Sequence, residues 1–219
     1  MVTYRISVRS LVEFMERRGD LNFRFASHAT ALEGIRGHQR VQRGRGEGYV
    51  AEKDVTAEAV RGDATICLTG RVDGYFPDSD PLIVDEIKTI RMPVEQVPEA
   101  VKHVHWAQAR MYALLLANFH DRDAVEVRLC YLNVDDDTEH QLVESWDRRA
   151  LADYYDDVVD RYAAWLVGLQ RWRYGRDTSI GALDFPYARY RNGQRDMAVN
   201  VYRALKGSPE PSLRSSCAT

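Results

Sequence analysis

Cysteine is scarce in this chain of 219 residues, and its three copies lie far apart. Cys67, Cys130 and Cys217 form no CxxC pair. Closely spaced cysteines build zinc sites and four-cysteine iron–sulfur clusters, and denser sets staple small secreted domains. The sequence therefore argues against a zinc site, an iron–sulfur cluster and a disulfide framework, and we expect a cytoplasmic protein.

Long apolar runs are also missing. No stretch reaches the roughly 18 residues that a membrane-spanning helix needs, and the N-terminus, MVTYRISVRS, lacks the apolar core of a signal peptide. We expect no membrane association and no export. The phosphate-binding pattern GxxxxGK[ST] does not occur either, so we expect no ATP hydrolysis.

An excess of charge of one sign is absent as well. The 30 basic and 33 acidic residues leave a net charge of −3, so the protein does not coat nucleic acid by charge alone. Any nucleic-acid surface must be local, although two solvated faces would give the same pattern. Basic residues cluster at Arg36, His38, Arg40, Arg43 and Arg45, and acidic residues cluster at 135–137 and 153–160.

The length and the hydrophobic content of 45% suit one substantial core with an appendage. The composition changes after Gly175 and becomes rich in serine and proline near the end. We therefore predict a domain over residues 1–180 and a separate segment over residues 181–219.

The order of elements predicts an α/β (α+β) fold in which a central mixed sheet is flanked by helices. Helical spacing of Leu32, Ile35 and His38 places His38 on the inward, apolar face of its helix. The three strands after this helix are expected to form an antiparallel meander. The predicted elements are helices over 11–18 and from Thr30 to Gly44, strands over 49–60, 64–76 and 82–90, a helix over 98–120, strands over 124–134 and 140–146, and a helix over 151–169.

The chemistry is expected on the central strands. Side chains alternate along a strand, so Glu86 and Lys88 point the same way, and the turn over 77–81 folds the strand of Asp73 back beside Glu86. Two adjacent carboxylates repel unless a cation lies between them, which favours a hard divalent metal. With a lysine to orient or deprotonate a water, such a site suits phosphodiester hydrolysis.

These residues resemble a known signature. Gly70-Arg71-Val72-Asp73-Gly74, followed by the segment Ile83 to Thr89, is similar to the core motif of PD-(D/E)XK nucleases, with Val72 in place of the usual proline. The RecB-like subgroup adds an upstream histidine, matched by Gly37-His38, and a downstream Q-x-x-x-Y element, matched by Gln108 to Tyr112.

The resemblance implies a restriction-endonuclease-like core that holds Mg2+ or Mn2+. It implies metal ligation by His38, Asp73, Glu86 and the Ile87 carbonyl group. Lys88 would be the catalytic lysine, and Gln108 and Tyr112 would brace the site.

Each residue taken alone also fits a structural role. Glu86 and Lys88 suit a salt bridge, Asp73 suits a turn, and His38 suits a hydrogen-bonded core histidine. His103 and His105 are expected to pack, bind phosphate or meet solvent rather than ligate metal. Glu52 fits either the site or a surface position.

The C-terminal segment carries a second resemblance. Phe185-Pro186-Tyr187, Tyr190-Arg191 and Gly193-Gln194 are similar to the opening of DinG/XPD-type helicase domains. The N-terminal residues 6–9 and 19–21 resemble nuclease domains that precede such helicases. The resemblance implies a nuclease module of a helicase–nuclease, with a helicase module as partner.

The leading hypothesis is a deoxyribonuclease that acts on single strands or on free ends. Arg36, Arg40, Arg43 and Lys102 are candidate contacts to DNA phosphates. The rival hypotheses are a non-catalytic module that holds DNA or a partner for a helicase, and a Mg2+-dependent hydrolase of RNA or nucleotides.

Overall fold

The structure is a computed structural model that describes residues 2–19 and 29–207. All of the predicted helices and strands are present, and most have small shifts at their ends. The elements are β1 (Val2–Ser7), α1 (Val8–Met15), α2 (Ala31–Gly44), β2 (Val50–Arg61), β3 (Ala64–Phe76), β4 (Leu82–Ile90), a 3-10 turn (Val94–Gln96), α3 (Glu99–His120), β5 (Ala124–Asn133), β6 (Glu139–Asp147), α4 (Arg148–Gly181) and α5 (Gln194–Gly207).

The strands form one mixed sheet of six, which confirms the predicted mixed α/β layout. Its order is β1-β3-β4-β5-β6, with β2 paired to β3. The β1–β3 and β4–β5 pairs are parallel, and the other pairs are antiparallel. The antiparallel meander predicted for β2, β3 and β4 is therefore correct.

Helices cover both faces of the sheet. The main core packs apolar residues of α1, α3 and α4 against one face. On the other face, Val41 of α2 packs with Ile87, Cys130 and Leu132. Because side chains alternate along β4, Glu86 faces the side that carries α3, and Ile87 faces α2.

A fork between two strands positions the site. Strand β2 runs along one edge of β3. The other edge of β3 pairs first with β1, over residues 64–69, and then with β4, over residues 74–76 only. Strands β3 and β4 therefore part beyond the pair of Gly74 with Asp85, and Asp73 lies at the point of separation.

Helix α2 differs from its predicted orientation. It begins at a capping box of Thr30 and Glu33. The sequence predicted an inward face that included Leu32 and Ile35, but these side chains are 55% and 58% exposed. Gly37 is buried instead. It packs so closely on the sheet that a Cβ atom there would lie 2.4 Å from Thr89 Cγ2. This close approach fixes which face of the helix meets the sheet.

The first helix begins and ends three residues earlier than predicted and follows a strand that the sequence did not predict. Ser7 caps it by accepting a hydrogen bond from the backbone N–H of Ser10, and the helix ends at Met15 rather than at residue 18. Asp20 and Leu21, which belong to the N-terminal resemblance, lie outside the described residues.

The C-terminal region continues as helix. Helix α4 spans 34 residues and reaches Gly181, well beyond the predicted stripe that ends at residue 169. The boundary at 180/181 stays a prediction, and residues 208–219 of the predicted segment lie outside the described residues. Within the described ranges, none of the helices combines the length and apolar character needed to cross a bilayer.

Candidate active site

A cleft of about 530 Å³ opens where β4 is flanked by α1, α2 and α3. His38, Ile87, Lys88 and Gln108, all candidates from the sequence, line this cleft. Segments far apart in the chain therefore meet in one concave surface, which is the usual setting of a catalytic site.

Glu86 and Lys88 share a surface, as strand alternation predicts. The Lys88 ammonium group lies 2.5 Å from Glu86 Oε1, so the two residues form the salt bridge that their positions on the strand also suit. Asp85 points to the opposite face and binds Arg45. Glu86 is 1% exposed, which places its carboxylate in a medium where an unpaired charge is costly.

Asp73 is held at the fork by two other candidates. The backbone N–H of Ile87 donates to Asp73 Oδ2 over 2.7 Å. Asp73 Oδ1 lies 3.3 Å from Nδ1 of His38. The structure thus brings His38, Asp73 and the Ile87 backbone together, and His38 lines the cleft rather than a buried apolar face.

The environment of Glu86 disfavours its charge. Burial raises the pKa of Glu86 to about 7, and the Asp73 carboxylate also raises it, while Lys88 and His38 lower it. Glu86 Oε2 is buried and has no hydrogen-bond partner among the described residues. A buried carboxylate oxygen without a partner is uncommon in native folds and calls for a ligand, a water or a functional role.

Gln108 and Tyr112 lie on α3, which packs over the same face of β4. Gln108 Oε1 accepts from Lys88 Nζ at 3.3 Å. Burial raises the pKa of Tyr112 above its ordinary range, as do the charges of Glu86 and Asp73. A Cβ atom on Gly70 would lie 2.6 Å from Tyr112 Cε1, so this glycine of the motif makes room for the tyrosine ring.

The donor chemistry of the fork fits a hard divalent cation. Glu86 Oε2 lacks a partner, and Asp73 and His38 supply an oxygen and an imidazole nitrogen nearby. Among the described residues, the side chains do not form a ready group of three or more His, Cys, Asp or Glu around one point. Lys88 and the Ile87 N–H instead occupy one oxygen of each carboxylate.

The candidate phosphate contacts lie away from this cleft. Arg40 pairs with Asp137 at 2.5 Å, and Lys102 pairs with Glu99 at 2.8 Å. Arg36 and Arg43 lie exposed on α2. The basic and acidic clusters of the sequence therefore partly pair with each other, as Arg40 does with Asp137. Arg45 also belongs to the basic cluster in sequence, but its side chain packs against Asp85.

Sequence reasoning missed three charged residues that line the cleft. Arg9, Glu13 and Arg17 reach it from α1 and the segment after it. Arg9 binds Glu13 at 2.7 Å. This bond raises the pKa of Arg9, and the charges of Glu86 and Tyr112 raise it further. The four-residue spacing places Arg9 and Glu13 on one face of α1. Only the fold reveals that this helix borders the site.

The remaining polar candidates have structural partners. His103 bonds with Glu16, and His105 Nδ1 lies 2.8 Å from the Tyr131 hydroxyl. Burial, with the charges of Lys88 and Arg9, holds the pKa of His105 well below its ordinary value. Glu52 is an exposed carboxylate that contacts Arg71 at 3.3 Å.

Comparisons with known proteins assign no family to the chain. No protein-family model matches the chain, and no curated protein does. Solved structures do match, among them one described as "Crystal structure of SSO0001". That protein is 22% identical in sequence, with a TM-score of 0.44, over 71% of this chain and 75% of its own. A likeness of this degree identifies no family.

Proposed function

We propose that the protein is a metal-dependent DNA nuclease of the PD-(D/E)XK superfamily, RecB-like subgroup, with a restriction-endonuclease-like core. One observation carries the proposal. At the fork between β3 and β4, Asp73 contacts His38 and the backbone N–H of Ile87. Glu86, next to Ile87 on β4, binds Lys88 and keeps a buried oxygen without a partner among the described residues. The order of the motifs in the sequence also supports the proposal.

The residues divide the chemistry among them. Asp73, Glu86, His38 and the Ile87 carbonyl group would hold Mg2+ or Mn2+. When bound, the metal supplies charge stabilisation at phosphate oxygens and lowers the pKa of a bound water. Glu86 and Gln108 hold the Lys88 ammonium group at the fork. From this position Lys88 would orient the attacking water.

The cleft also has features suited to a phosphodiester substrate. Arg9, Arg17 and Lys88 place positive charge along its walls. Guanidinium groups bind phosphate oxygens through paired hydrogen bonds. The substrate is DNA, single-stranded or with free ends, and a DinG/XPD-like helicase module is the proposed partner.

A substrate panel tests this function. End-labelled single-stranded DNA, double-stranded DNA and single-stranded RNA are incubated with the protein in Mg2+, Mn2+ or EDTA. We expect metal-dependent cleavage of DNA, none in EDTA, and none by Lys88→Ala. Preferential cleavage of RNA would favour the RNA hydrolase. Binding of DNA without cleavage under any condition would favour the non-catalytic module.

A further inference from the structure

One face of α2 contacts both strands of the fork. Residues 38, 42 and 45 follow one another by four and three positions, so their side chains share this face. His38 Nδ1 lies 3.3 Å from Asp73 Oδ1. The Gln42 side-chain amide donates to the Asp73 carbonyl oxygen over 2.9 Å. Arg45 binds Asp85 on β4 over 2.6 Å. The helix therefore couples the strand of one carboxylate ligand to that of the other.

Asp73 lies where the sheet registers leave a gap. On the β2 side, the residues before and after Asp73 are paired, but Asp73 is not paired with Glu52, the residue opposite. Glu52 has a φ of 55°, outside the conformation of a regular strand. On the β4 side, pairing starts one residue later, at Gly74 with Asp85. The side chain of Gln42 thus adds a long-range hydrogen bond where the strand pairing is interrupted.

We propose that Gln42 is a positioning residue for the metal ligand Asp73. The inference rests on the proposed function, in which Asp73 ligates the cation. The Gln42 amide fixes the peptide plane that follows the Cα atom of Asp73, and so fixes the direction of its carboxylate. Gln42 lines a groove with Gln39 and Tyr49, outside the set of residues that line the cleft. It therefore acts through Asp73 rather than on the substrate.

Two substitutions separate this role from general stability. Gln42→Ala removes the donor. Gln42→Glu keeps the shape, but its ionised carboxylate accepts hydrogen bonds only and repels the carbonyl oxygen. Gln39→Ala and Gln39→Glu are matched controls, since Gln39 is exposed on the same helix and lines the same groove. Melting temperatures of all four variants verify folding.

The primary measurement is the Mn2+ dissociation constant of the metal-free protein by titration calorimetry. Loss of an outer hydrogen bond to a ligand costs about 10-fold or more in metal affinity. We expect Gln42→Ala to bind Mn2+ about 10-fold more weakly, and Gln42→Glu more weakly still. The Gln39 variants should match the wild type. At saturating Mn2+, the KM for DNA should stay unchanged in the Gln42 variants.

The outcomes distinguish the two proposals. If the wild type binds Mn2+ and cleaves DNA but the Gln42 variants bind Mn2+ equally well, the positioning role is overturned alone. A raised KM with unchanged Mn2+ affinity would assign Gln42 to the substrate and overturn it too. If the wild type neither binds Mn2+ nor cleaves DNA, the proposed function fails and this inference fails with it.

Discussion

The guanidinium group of Arg45 lies 2.6 Å from the carboxylate of Asp85, and both side chains are buried. Asp85 directly precedes Glu86 on β4 and points to the opposite face of the sheet. Burial raises the pKa of Asp85, whereas the bond to Arg45 lowers it. Adjacent carboxylates on one strand thus have different roles. Asp85 anchors the end of α2, and Glu86 faces the candidate metal centre.

Replacing Arg45 should strongly destabilise the fold. Arg45→Ala leaves the buried Asp85 carboxylate without its cation, and breaking a buried pair from one side costs about 3–5 kcal/mol. Urea unfolding measures the free-energy change. Arg43→Ala is the control, because Arg43 is exposed and should change the stability by at most about 0.5 kcal/mol. Equal effects of the two substitutions would contradict the anchoring role.

A side chain at position 37 should destabilise the fold. A Cβ atom there would lie 2.4 Å from Thr89 Cγ2 and 3.1 Å from Leu132 Cδ2. We expect Gly37→Ala to destabilise the protein by about 1–3 kcal/mol through overpacking and to weaken Mn2+ binding, since His38 follows directly. Gly44→Ala is the control in the same helix, where a Cβ atom meets nothing within 4 Å. A Gly37→Ala protein as stable as Gly44→Ala would refute the close packing of α2.

Metal binding should depend on pH through Glu86. The pKa of Glu86 is raised to about 7 in the metal-free protein, and a carboxylate must lose its proton to ligate a cation. Mn2+ affinity should therefore rise with pH up to about 7 and then level off. Below pH 7 the affinity should change by up to about tenfold per pH unit, because binding displaces one proton. Titrations between about pH 5.5 and 8.5 measure this. Glu86→Gln should bind Mn2+ weakly, and its affinity should no longer change with pH near 7. If that variant kept the pH profile of the wild type, Glu86 would not be the group that titrates.

Arg9 should contribute to substrate binding rather than to metal binding. Arg9→Gln removes a positive charge from the cleft wall, so the KM for DNA should rise several-fold with Mn2+ affinity unchanged. The slope of log affinity against log salt should fall by about 1. Arg176→Gln is the control, since Arg176 pairs with Asp177 on an exposed part of α4. Equal KM values for the two variants would remove Arg9 from the substrate path.

Local patterns sufficed for five of the six strands and for the pairing of side chains within them. Alternation along β4 predicted that Glu86 and Lys88 share a surface, and the structure places them 2.5 Å apart. The turn between β3 and β4 likewise predicted their antiparallel pairing. These features depend on neighbours in sequence, and a single sequence contains that information.

Contacts between helices and strands determined the features that the sequence did not reveal. Leu32 and Ile35 have helical spacing, yet the buried face of α2 is set by the contact of Gly37 with Thr89. Arg45 belongs to a basic run in sequence, but its guanidinium group is drawn inside by the ion pair with the buried Asp85 carboxylate. In each case a residue on another element determines the outcome, and spacing along one helix cannot report it.

The central claim is that Asp73 ligates a catalytic metal. Its most direct test compares wild type and Asp73→Asn for Mn2+-dependent cleavage of end-labelled single-stranded DNA, with Mn2+ affinity and melting temperature measured on the same samples. The account predicts that the substitution abolishes cleavage and weakens Mn2+ binding while the protein stays folded. Undiminished metal-dependent cleavage by folded Asp73→Asn would contradict it.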